Sequence, residues 1–145
     1  MSTAGDRGTG PRTSPADRLV LVLRVIAWVT VATGVLQVVA PAFVLTRLGA
    51  FTDVTTAHLF ATVGMFMVVV GALLATTLAR PRHDPDVVLW AAVQKAGAAL
   101  AVGLGVARGV FDPLALSVAA FDLLTAALLL LHLRRLPHGR RTGAS

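Results

Sequence analysis

The chain contains no cysteine and no glutamate, and lysine occurs once, at Lys95. Without cysteine there is no disulfide, no thiol redox chemistry, no thiolate metal site and no Cys nucleophile. All seven acids are aspartates, twelve of the thirteen basic residues are arginines, and charged residues make up only 14% of the chain. An average soluble domain carries about a quarter. The histidines His58, His83, His132 and His138 are scattered, so no metal-ligand motif forms and no cofactor is implied.

What is abundant is apolar: 56% of the 145 residues are hydrophobic and the mean hydropathy is +0.79. The apolar residues fall into four runs of the length that spans hydrocarbon, about 20 residues. The sequence therefore predicts an all-α, integral membrane four-transmembrane-helix bundle, with spans at about 19–40, 57–79, 85–109 and 113–133. Residues 1–18, rich in Gly, Ser, Thr and Pro, read as a disordered tail, the bundle as 19–136, and residues 137–145 as a basic tail. A signal peptide is the rival reading of the first run, given Ala40-Pro41-Ala42, but that run is too long for a signal core and contains Arg24.

Local signals place the ends. Pro41 stops the first span, and a loop with Arg47 and Asp53 follows. Asp84-Pro85-Asp86 reads as an N-cap, a first-turn proline and a dipole-matched acid, and Phe111-Asp112-Pro113 repeats the Asp-then-Pro device. The last two spans are expected to form a tight antiparallel hairpin. Nine arginines lie in the N-terminal tail, the 80–82 loop and the C-terminal stretch from Arg134 on, against Arg47 and Arg108 on the other side, which predicts cytoplasmic termini. Composition points to a GC-rich bacterial genome and hence a bacterial plasma membrane. The net charge of +6 is met by lipid headgroups at the segment ends, so no nucleic-acid partner is expected.

Helical spacing assigns faces. Gly97, Ala101, Gly105 and Gly109 form a small-residue stripe that reads as the packing face of the third span, and Gly64 and Gly71 serve the second. Thr30, Thr33, Gly34 and Gln37 make one polar stripe on the first span, while Arg24 reads as snorkelling beside Trp28. Leu116, Leu123, Leu130 and Leu131 face lipid, which turns Asp122 and Thr125 inward.

Lys95, near mid-span beside Gln94, is the sharpest anomaly, because a cation at that depth costs at least about 2.5 to 3.5 kcal/mol unless it is paired, hydrated or deprotonated. Asp122 is its only plausible partner. The two backbones differ in depth by roughly 7 Å when each helix rises 1.5 Å per residue, so a direct ion pair needs the lysine side chain to bend back, and a bridging water or an enclosed ligand stays open beside it. The candidate catalytic set is thus Asp122, Lys95 and His58. Gln94, Gln37, Thr30, Thr33 and Thr125 are candidate ligand-binding residues. For His58 a solvated interfacial role is the plainer reading.

The four-helix plan, the Leu23-Arg24 opening of the first span running to Gly34, the His58-Leu59-Phe60 start of the Gly64 and Gly71 helix, and the terminal hairpin resemble the DoxX-like group of small bacterial membrane proteins. The resemblance implies a four-helix bundle more than an activity, since the group includes quinone-linked subunits. The cysteine pair of the related quinone-reducing vitamin K enzymes is missing, as is the first-span glutamate of small multidrug transporters. The leading expectation is a protein binding a lipophilic small molecule or quinone, with an acid/base isomerase or cyclase as its catalytic form. Two alternatives stay open: a non-catalytic accessory subunit with a membrane-protein partner, and a homo-oligomeric, proton-coupled transporter.

Overall fold

A computed structural model describes residues 14–136. The expected tails lie largely outside these residues. Four long helices carry the architecture: α1 (Pro15–Val39), α3 (Val54–Leu78), α4 (Pro85–Ala107) and α5 (Leu116–Arg135), with a short α2 (Pro41–Arg47) after the first and a 3-10 turn (Pro113–Ala115) before the last. The four long segments are each apolar and long enough to cross a membrane, the pattern of a multi-pass membrane protein. Among the described residues there is no strand.

The helix ends follow from specific bonds. The Ser14 hydroxyl accepts from the Asp17 amide at 3.2 Å while the Asp17 carboxylate accepts from the Ser14 amide at 2.9 Å. This capping box, with Pro15 in the first turn, starts α1 four residues before the apolar run on which the sequence boundary was set. Pro41 ends α1, as expected, yet it also opens α2, because its fixed φ and missing N–H suit a first turn. The expected loop around Arg47 is therefore helical up to Arg47.

α2 and α4 stop at glycines in the left-handed region, Gly49 at φ 68° and Gly109 at φ 70°. In each case paired amide bonds return to the last turn, Ala50 to Leu45 and Val110 to Gly105, which closes the helix two residues before the glycine. Asp84 caps α4 through the Asp86 amide at 2.9 Å, whereas Asp112 makes no equivalent bond. Its carboxyl lies where a Cβ of Gly49 would stand.

α1 packs along α3, and α4 along α5, so the bundle consists of two close pairs. A Cβ on Gly34 would meet the Gly64 carbonyl at 2.6 Å, and one on Gly64 would meet the Gln37 Cβ at 2.6 Å. Absence of side chains there lets α1 and α3 backbones touch. The α4 stripe does not act this way. Nothing lies within 4 Å of a Cβ on Gly97 or Gly109, and Gly105 meets only the Phe111 ring. α4 instead turns Val88, Ala91, Ala92 and Lys95 inward, and Gly97 lies roughly 200° round the helix from Lys95.

Leu23 and Ala27 of α1, Leu74, Ala75 and Leu78 of α3, Val88, Ala91 and Ala92 of α4, and Leu129 of α5 form one core. All of them lie in the half of the bundle that holds the start of α1, the α3–α4 connection and the end of α5. Large apolar side chains cover the outside, with Trp90 at 68% and Leu100 at 65% exposure, and Leu116, Leu123, Leu130 and Leu131 face out as expected. A soluble monomer rarely exposes so continuous an apolar surface.

Candidate functional site

In the other half, the two helix pairs stand apart around a cavity of about 510 Å³, within the size range of small-molecule pockets, about 300 to 1,000 Å³. Lys95 and Asp122 form its floor on top of the packed core. Leu48 and Phe111 lie at the far end, where the Asp112 amide donates to the Leu48 carbonyl at 2.9 Å and ties the α2–α3 loop to the α4–α5 turn. The packed core thus bounds the cavity at one end and the joined loops bound it at the other.

The walls are mainly Val29, Val63, Met67, Val102, Val118 and Phe121. Polar groups are few and convergent: Thr30, Thr33 and Gln37 from α1, Ser117 from the last span, and the floor pair.

Lys95 Nζ donates to Asp122 Oδ1 at 2.6 Å, and the two side chains are 5% and 7% exposed. Of the two arrangements that the sequence leaves open, this is the direct pair. α4 ends at Ala107 and not at Gly109, and the last span begins with a 3-10 turn, which rises about 2.0 Å per residue against 1.5 Å. Counted from those ends, the offset falls to roughly 3 to 4 Å, within reach of a lysine side chain. Phe121 adds its ring face to the ammonium at 5.6 Å.

The other candidates divide. Thr30 is buried with no partner for its hydroxyl oxygen, and Gln37, 8% exposed, has an unpartnered amide oxygen. Thr33 lines the cavity but returns its hydroxyl to the Val29 carbonyl at 2.9 Å. Gln94 and Thr125 face a separate void of about 10 Å³ below the floor, shared with Thr30 and Lys95, which is the space of one water molecule. There the Gln94 amide oxygen is again unpartnered, while Thr125 bonds the Phe121 carbonyl at 2.8 Å. His58 does not join the set: it is exposed on α3 and absent from both linings. It sits near the start of the helix, one turn in from Val54.

Sequence reasoning missed two features. The apolar walls are ordinary span residues with no local signal of a cavity. The His83 and His132 rings meet at 2.9 Å between ring nitrogens, at the packed end of the bundle, although the residues are 49 apart in sequence. Among the described residues no group of three metal-ligating side chains forms. Comparison with family models, curated proteins and solved structures finds no match to this chain.

Proposed function

We propose that the protein binds a lipophilic small molecule in the cleft above Lys95 and Asp122. The observation that carries this reading is the cleft: an apolar cavity of about 510 Å³ at membrane depth with a polar floor. A bundle built only for cohesion has no reason to hold its helix pairs apart there, since closing the gap would add packing at no polar cost. Lys95 and Asp122 bond each other on the floor, and the reading offered is one of binding.

The same proposal includes the membrane and its sidedness. Arg80, Arg82, Arg134 and Arg135 gather at the packed end, against Arg47 and Arg108 at the cleft end. That distribution favours a packed end in the cytoplasm and a cleft in the outer half of a bacterial plasma membrane. A four-helix DoxX-like plan is compatible with this arrangement.

Native mass spectrometry after gentle detergent extraction tests the reading. A bound small molecule at one per chain is expected, released and identified on activation. A chain that flies without adduct from lipids rich in small lipophiles, and takes none up on titration, would refute it.

A further inference from the structure

We infer that the ligand of this cleft is an uncharged amphiphile whose polar end is a hydroxyl-type hydrogen-bond donor, carried on a single apolar chain or ring system. The inference rests on the cleft being a ligand site and names the class of molecule it takes.

Charge comes first. Lys95 and Asp122 are the only ionisable residues in the lining, and they lie 2.6 Å apart. An ammonium or carboxylate head entering the cleft would lose its hydration and find no free counter-charge, or would have to split a buried pair. Both routes disfavour ions.

Hydrogen bonding comes second. The Ser117 hydroxyl is committed to the Leu114 carbonyl at 2.7 Å, as that of Thr33 is to Val29. Gln37 lines the cleft, and its amide oxygen is buried without a partner. An amide oxygen can only accept, so what it lacks is a donor. The Thr30 oxygen, also unpartnered, lies two turns deeper on the same face, toward the floor. Buried polar atoms are rarely left unpaired, and hydrocarbon offers them no water. Gln37 is also held in place, because its Cβ sits against the space that Gly64 leaves open.

Size comes third. A volume of about 510 Å³ accommodates one chain or a small fused-ring skeleton, and a two-chain phospholipid exceeds it.

Four probes with one chain and different heads separate these points: dodecanol, dodecyl methyl ether, dodecylammonium and dodecanoate. Each competes, on the full chain in nanodiscs, against a fatty alcohol with a diazirine in its tail, and crosslinked residues are read by mass spectrometry. Labelling is expected at cleft residues such as Met67 and Val118, with dodecanol competing about tenfold better than the ether or either ion. Gln37→Leu is expected to abolish the preference over the ether and to weaken labelling by the alcohol probe about as much, the residues labelled at higher probe concentration staying those of the cleft. Cleft labelling with equal competition by alcohol and ether, or better competition by an ion, would overturn the hydroxyl class and leave the cleft standing. Labelling confined to the outer helix faces would overturn the cleft reading and the inference with it. The four-probe comparison needs only the unmodified protein, so a poorly folded variant does not blunt it.

Discussion

Replacing Lys95 with Met leaves Asp122 buried at membrane depth without its partner, and Asp122→Leu does the reverse to Lys95. The paired side chains are only 5% and 7% exposed, so solvent cannot rescue either survivor. Loss of one member of such a pair costs about 3 to 5 kcal/mol, whereas replacing both by apolar groups of similar size is neutral to stabilising. The double variant Lys95→Met with Asp122→Leu is therefore expected to be at least as stable as the parent, and each single variant to be far less stable. The predicted non-additivity is at least about 3 kcal/mol, well above the few tenths seen between independent sites. Reversible unfolding in mixed micelles, titrated with a denaturing detergent and followed by circular dichroism, measures all four corners of the cycle. Raised salt should hardly change the coupling, because the pair is shielded from bulk ions. Single variants within about 1 kcal/mol of the parent, or effects that simply add, would refute the view that this contact clamps α4 to α5.

Other expectations follow from individual contacts. Gly64→Ala puts a methyl against the Gln37 Cβ and the Gly34 carbonyl, and should lower stability by about 1 to 3 kcal/mol in the same unfolding assay. Gly97→Ala meets open space and should instead raise stability by about 0.5 to 1 kcal/mol through helix propensity. The Asp53 carboxyl is held below its ordinary value, first by the Thr56 backbone amide, so its cap should be fully effective above pH 3.8 and fade as pH falls through the lower folded value. The melting difference between Asp53→Ala and the parent should accordingly be present at neutral pH and vanish in strong acid. Because the chain lacks cysteine, single cysteines at Ser14, Leu136 and the exposed Val110 can be labelled cleanly in intact cells. An impermeant maleimide should react with the third and spare the first two.

The spans were legible because they rest on composition and on local rules. Runs of about 20 apolar residues, Pro41, and the Asp84-Pro85 start each act within a few residues of their own position. The observed helices accordingly fall within a few residues of the predicted limits. Inward faces were readable where spacing carries the information, as for Thr30, Gly34 and Gln37, or for Asp122 and Thr125. What failed depended on how separate helices meet. The Gly97 stripe looked like a packing face, but small residues permit close approach without choosing a partner. The Lys95 to Asp122 distance turned on where α4 ends, a detail set by the bonds around Gly109. His58 fell on the polar side of a pattern whose inward direction was fixed by Gly64 and Gly71. The cleft itself has no signature, since its walls are the same Val, Met and Phe residues that elsewhere face lipid.

The measurement that bears most directly on the cleft is ligand retention with the cleft filled. Ala101 lines the cavity from α4 and is exposed, so Ala101→Trp should fill the space without entering the core at Leu23, Leu74 and Leu129. Native mass spectra of parent and variant, extracted from the same lipids, should show a small lipophile bound to the parent and lost from a variant that melts like the parent. Equal retention by both would place the bound molecule outside the cleft and contradict the account.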